Sequence, residues 1–189
     1  MTSRPDPTTF AVCVFTASSE RVADSYRALA RDVGAAIAGA GWRLVYGGGQ
    51  VGLMGEVARA ALAAGGGVTG IIPHSLNRRE VAFDDIDDLV LCDTLAERKQ
   101  LMDDRTDVYV VLPGGIGTLD ELVEVLTTRS LGYHAKAIVL VDVDGYWAPL
   151  HALLDHMVDA GTLRPDVRDL VETVTDLDGM VERLSKETP

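Results

Sequence analysis

The sequence predicts an α/β fold in which a single parallel sheet is wound with helices on both faces, and three observations carry that prediction. Apolar, β-rich runs alternate with amphipathic runs of helical length along the whole chain. The clearest of the former, residues 10–15 and 107–112, are nearly continuous in apolar side chains, as strands buried on both faces of a parallel sheet are. Glycine-rich turns at residues 47–52 and 114–117 each stand between a strand and the start of a helix. The architecture implied is a doubly wound, Rossmann-like three-layer sandwich. It forms one domain over residues 9–189, preceded by a flexible tail at residues 1–8 that contains Pro5 and Pro7.

Each element has a local reason. Residues 10–15 are the first strand. Ser18 and Ser19 offer capping hydroxyls for a helix to about Ala40, which Gly39 and Gly41 terminate. Residues 43–46 form a second strand leading into Gly47-Gly48-Gly49-Gln50-Val51-Gly52, and an Ala-rich helix follows to about Ala64, stopped by Gly65-Gly66-Gly67. Residues 68–72 are a third strand, followed by a charged loop, a short strand at 89–92 and a helix from about Leu95 to Arg105. Beyond the strand at 107–112 and its glycine turn, Leu119, Leu122, Val123 and Leu126 repeat at i, i+3, i+4 and i+7, with Thr118 at the position of an N-cap. A strand at 137–141, a helix at 147–160, a strand at 171–174 and a helix at 177–186 complete the chain.

Composition narrows the function. The 189 residues, 47% hydrophobic, suffice for one well-buried core. A balance of 17 basic to 29 acidic residues gives a net charge of −12, so the surface repels nucleic-acid backbones and anionic lipid, and neither is expected as a partner. A phosphate ligand must then be held by local groups. Cys13 and Cys92 lie in apolar runs and read as the reduced, buried thiols of a cytosolic protein. No apolar stretch approaches the roughly 20 residues of a membrane span, and the polar opening lacks a signal-peptide apolar region, so a cytoplasmic location is expected.

The turn Pro113-Gly114-Gly115-Ile116-Gly117-Thr118-Leu119-Asp120-Glu121 carries the chemistry. A strand that feeds glycines into a helix start directs unpaired backbone N–H groups and the positive end of the helix dipole at one spot, where an anion can sit. A side chain at Gly115 would crowd that anion or the turn. Ligands of such folds bind beyond the carboxyl ends of the strands, so the two glycine turns, Gly48 and Gly49 included, open on one rim and can converge on one ligand. Gly47-x-Gly49-x-x-Gly52 formally matches a dinucleotide fingerprint, but the next strand ends in Pro73-His74 where an acidic residue should hold the ribose, so no redox cofactor is expected.

Several residues admit two readings. Thr118 and Glu121 have the i, i+3 spacing of a capping box, yet Glu121 also stands beside the anion site as a candidate acid; Asp120 points about 100° away around the helix. Arg98-Lys99 is either a solvated helix face or a local cation source, in a chain whose other lysines are Lys136 and Lys186. His74, His134, His151 and His156 show no metal spacing, and no metal is expected. Neither a Gly-x-Ser-x-Gly elbow nor a P-loop occurs.

Taken together, these motifs resemble those of the Lonely Guy (LOG) family of cytokinin riboside 5′-monophosphate phosphoribohydrolases, long labelled lysine decarboxylases. The glycine turn resembles the family's Pro-Gly-Gly-x-Gly-Thr-x-x-Glu motif. Other segments match in order: Tyr46-Gly47-Gly48-Gly49 to Gly52-Leu53-Met54-Gly55, Ile72-Pro73-His74-Ser75-Leu76 with Glu80, Glu97-Arg98-Lys99, Leu131-Gly132-Tyr133-His134, and Val143-Asp144-Gly145-Tyr146. The likeness spans about residues 10–160.

The resemblance implies hydrolysis of the N-glycosidic bond of an adenine-type nucleoside 5′-monophosphate, to free base and ribose 5-phosphate, without cofactor or metal. It marks Arg98 and Glu121 as the catalytic pair. Glu80, Lys99, Gly114, Gly115, Ile116, Gly117, Thr118, Leu119, Asp120 and Thr127 become substrate contacts, and the assembly a homodimer or larger. Two segments depart from the family: Leu95-Ala96 stands where Met-His is usual, and Thr128-Arg129-Ser130 where Trp-Ala-Gln is usual, both flanking the site. The chemistry suits the residues, because a carboxylate near C1′ stabilises the ribosyl cation formed as the bond breaks. Arg98 could hold ribose or phosphate, or support the departing base. Two other readings remain: a non-catalytic nucleotide or cofactor carrier, and a lysine decarboxylase in which Lys99 would carry pyridoxal phosphate.

Overall fold

Strand side chains alternate between two cores. In β1 (Ala11–Phe15), Val12 and Val14 enter one core while Ala11, Cys13 and Phe15 enter the other, as the period of two in a strand requires. The same division splits β5 (Val108–Val111) and β6 (Ile138–Val141), whose residues are all buried. The computed structural model describes residues 9–76, 83 and 86–188, so the expected tail at 1–8 lies outside the described residues.

The other strands are β2 (Arg43–Tyr46), β3 (Val68–Pro73), β4 (Asp88–Cys92) and β7 (Val171–Val174). Helices α1 (Asp24–Gly39), α2 (Gly52–Ala63) and α7 (Leu177–Ser185) pack on the Val12 face. Residues of α3 (Leu95–Asp103), α4 (Ile116–Ser130), α5 (Ala148–Asp159) and the short α6 (Pro165–Arg168) pack on the Cys13 face. All strand pairs are parallel and the order is β4-β3-β2-β1-β5-β6-β7. The predicted three-layer architecture is therefore the observed one.

This order positions the site. The chain enters at β1 in the middle, builds outward to β4, and returns to β5 on the other side of β1. After β1 it leaves for α1 on one face, and after β5 for α4 on the opposite face. The two connections diverge and leave a crevice between them, where ligands of doubly wound sheets bind.

Three local expectations are corrected. Helix α1 begins at Asp24, not at Ser18 or Ser19; Ser19 Oγ accepts from the Arg21 amide at 3.1 Å, a local turn that competes with helix. Helix α4 begins at Ile116 with Gly115 as N-cap, so Thr118 is its third residue and not its cap. Its buried stripe is Thr118, Glu121, Leu122, Val125 and Leu126, whereas Val123 is 54% exposed. The short helix α6, which starts on Pro165, was not expected from the sequence. Both cysteines are buried and free, and burial, with the nearby Glu121 charge, pushes the Cys13 thiol far up. Among the described residues no helix is long and apolar enough to cross a membrane.

Candidate active site

Backbone bonds bring the two connections at the crevice together. Thr16 Oγ1 and the Ala17 amide both donate to the Pro113 carbonyl, at 3.1 and 3.3 Å. Between them opens a cavity of about 220 Å³. Thr16, Ala17, Ser18 and Ser19 line it after β1; Gly115, Ile116, Gly117, Thr118 and Glu121 line it after β5; Met54 and Arg98 complete the wall. Among the described residues no side chain caps α4, so the dipole and first-turn amides of that helix are open to an anion.

The glycines of the turn have different jobs. A Cβ on Gly114 would fall 2.1 Å from Thr118 Oγ1, so the close packing of turn on helix excludes any side chain there. A Cβ on Gly115 would meet nothing within 4 Å. The expectation that a side chain at Gly115 crowds the turn is thus corrected: only a ligand in the cavity would meet it.

Arg98 and Glu121, predicted from different segments, meet in the wall of this cavity. Arg98 lies on α3 and Glu121 on the second turn of α4, and each is at least 90% buried. Arg98 Nη1 is 3.3 Å from Glu121 Oε1. Its Nε donates to the Ile71 carbonyl at 3.0 Å and its Nη2 to the Gly47 carbonyl at 3.2 Å. The guanidinium therefore pins the carboxyl ends of β2 and β3 to α4, and with respect to the described residues one further N–H remains on each Nη. The capping-box reading of Glu121 is overturned, because Thr118 is inside the helix and Glu121 pairs with Arg98 instead. A buried pair of this kind adds little net stability, because desolvation offsets much of its attraction.

Lys99 faces elsewhere. Its ammonium binds Asp120 Oδ2 at 3.1 Å and also Glu124. It lines a second cavity, of about 50 Å³, with Tyr109, Asp103 and Thr128. Glu121 is common to both cavities. Burial alone would lower the Lys99 pKa, but the Glu124 and Asp120 carboxylates outweigh it and raise the pKa above the ordinary lysine value. Lys99 is thus held as an ammonium between two carboxylates, whereas a Schiff-base lysine reacts as the free amine, so its setting does not favour the decarboxylase reading.

The second glycine turn has a supporting role. Gly48, at φ +77°, packs against β3, and neither it nor Gly49 lines either cavity. Gly52, at φ +61°, lies beneath the Ser18-Ser19 backbone, where a Cβ would come within 2.5 Å of the Ser18 carbonyl carbon. The first amides of α2, from Leu53 and Met54, donate to the Ala17 carbonyl at 2.9 and 3.3 Å. The expectation that the two glycine turns converge on one ligand is therefore corrected: the first amides of α2 support the β1 loop, and the start of α4 opens to the cavity.

Leu119 is partly buried against the core, Asp120 is paired with Lys99, and the exposed Thr127 donates to the Val123 carbonyl at 2.7 Å; none of them lines either cavity. Glu80 lies outside the described residues. Sequence reasoning missed Thr16, Ala17, Ser18, Ser19 and Met54. A usable signal was present, since the small polar run after the first strand sits where a doubly wound sheet switches direction.

Known proteins resemble this chain in sequence and in fold. Residues 54–184 match the family model described as "Possible lysine decarboxylase". The chain is 48% identical over 163 residues to the cytokinin riboside 5′-monophosphate phosphoribohydrolase of Mycobacterium tuberculosis, covering 86% of this chain and 87% of that protein. It is 43% identical over 183 residues to the protein of the same name from Mycobacterium marinum, covering 96% and 97%. Among solved structures, the molybdenum cofactor carrier protein of Chlamydomonas reinhardtii superposes with a TM-score of 0.73 at 23% identity, over 95% of this chain and 98% of that one, a likeness of fold. With a crevice built on the glycine motif and relatives matched over most of their length, the chain belongs to the Lonely Guy family.

Proposed function

We propose that this protein hydrolyses the N-glycosidic bond of adenine-type nucleoside 5′-monophosphates, cytokinin riboside monophosphates among them, releasing free base and ribose 5-phosphate. The observation that carries this reading is the buried Arg98–Glu121 pair in the wall of a cavity that also receives an uncapped helix start. The α4 amides anchor the 5′-phosphate and so hold C1′ against Glu121. As the C1′–N9 bond breaks, its electron pair leaves with the base, and the Glu121 carboxylate stabilises the ribosyl cation. Water adds to C1′, and its proton passes by way of Glu121 to the base. Arg98 orients Glu121 and offers its remaining N–H groups to the sugar or phosphate. The buried free thiols support the cytoplasmic location.

The test is to incubate the protein with AMP and with isopentenyladenosine monophosphate, alongside the corresponding ribosides, and to identify the released base by chromatography. We expect base and ribose 5-phosphate from the monophosphates, with kcat/KM at least about a hundredfold lower for the ribosides, because charge-assisted bonds to the phosphate are lost. Comparable values for riboside and monophosphate would sink the phosphate anchor. Tight binding without base release would favour a carrier.

We further propose a homodimer joined through the outer face of α4. Ile116, Val123 and Leu131 follow one side of that helix at 84, 54 and 67% exposure, with Tyr133 beside them at 79%. Asp120 and Thr127 share this side, so in the proposed dimer these two expected substrate contacts would face the partner. Val123→Glu should convert the dimer to a monomer in sedimentation equilibrium; a wild-type protein that sediments as a monomer refutes the assembly.

A further inference from the structure

The loop between β6 and α5 reaches back to the glycine turn. Asp144 (φ 58°) and Gly145 (φ 70°) are consecutive left-handed residues, and Asp144 is the one non-glycine residue with positive φ among those described. The Asp142 carboxylate closes the bend by accepting from the Trp147 amide at 3.0 Å. The bend presents Tyr146, whose ring meets Tyr26 of α1 edge-on at 5.5 Å and whose hydroxyl donates to the Gly114 carbonyl at 2.6 Å.

That carbonyl belongs to the same planar peptide unit as the Gly115 amide. In a trans peptide the C=O and N–H point in opposite directions, so fixing one aims the other. Gly115 lines the cavity and Tyr146 does not, while the Gly115 amide has no acceptor among the described residues. The unit is also flanked by two glycines, the residue type whose backbone rotates most freely. Unrestrained, it could turn its carbonyl oxygen toward the anion and repel it.

We propose that Tyr146 is a positioning residue of the anion site: its hydroxyl holds the Gly114–Gly115 peptide so that the Gly115 N–H faces the phosphate. This rests on the phosphate-anchor reading given above. The strained turn at Asp144-Gly145 is then explained as the device that brings the hydroxyl into reach.

The test compares wild type with Tyr146→Phe, which deletes the hydroxyl and keeps the ring. Ribose 5-phosphate binding is measured by titration calorimetry, independently of turnover, together with AMP and adenosine kinetics and melting temperature. The expected result is binding of ribose 5-phosphate about tenfold weaker. KM for AMP should rise more than kcat falls, with adenosine turnover and melting temperature near those of wild type. Equal binding of ribose 5-phosphate by the two proteins would overturn the proposal. So would a parallel loss of AMP turnover, adenosine turnover and melting temperature, which is the pattern of a packing residue. A wild type that does not bind ribose 5-phosphate would instead overturn the anchor itself.

Discussion

Glu121→Gln should reduce base release from AMP by at least about a hundredfold while leaving the chain folded and able to bind ribose 5-phosphate. The substitution keeps the size of a side chain that is only 10% exposed, and the amide oxygen can still accept from Arg98. What it removes is the negative charge facing the cavity, and with it both stabilisation of the ribosyl cation and a place for the water proton. Some stability is lost as well, because Arg98 keeps its charge without a counter-charge. Circular dichroism and product-binding titrations establish that the variant is intact before turnover is measured. Wild-type turnover in this variant would mean that Glu121 only holds Arg98 in place, and that the proposed mechanism is wrong.

Arg98→Ala should cost more than activity. It strands the Ile71 and Gly47 carbonyls and removes the Arg98 partner of the buried Glu121 carboxylate, for a destabilisation of about 2 kcal/mol or more. Turnover measured well below the melting temperature should also fall at least about a hundredfold, since the carboxylate is no longer oriented. Lys99→Ala loses ion pairs to Asp120 and Glu124, carboxylates that are 60 and 43% exposed, and should cost no more than about 1 kcal/mol. Arg98→Lys keeps the charge but cannot span three acceptors in three directions, so it should resemble the alanine variant in turnover. Equal, small losses of turnover and stability at both positions would return Arg98-Lys99 to the status of a solvated helix face.

Local pattern did not separate these neighbours, which read as one basic pair; only the family resemblance set Arg98 apart from Lys99. Adjacent residues on a helix point about 100° apart, and only the packing of α3 against the sheet and α4 decides which of them turns inward. Glu121 shows the same limit. Its three-residue spacing from Thr118 suits a capping box, but the helix starts earlier, at Ile116, because Gly115 in the glycine turn already supplies the extended N-cap residue before α4. One turn of shift moved Glu121 from a helix end to a cavity wall.

Composition and local pattern were enough to establish the strands, most helix limits, the parallel sheet and the glycine turn that leads into a helix start at residues 113–118. These depend on short-range rules: apolar continuity, helical periodicity, and the steric freedom of glycine. They also supplied Arg98 and Glu121 as candidates. Which loops share a crevice depends on strand order, and no local rule carries that information. Because β1 lies beside β5, the small polar run Thr16-Ala17-Ser18-Ser19 faces the glycine motif, α2 uses its first amides to support that run, and Tyr146 comes within reach of Gly114. The physical reason is that parallel pairing joins segments far apart in the chain, through buried surface that forms only when the sheet closes.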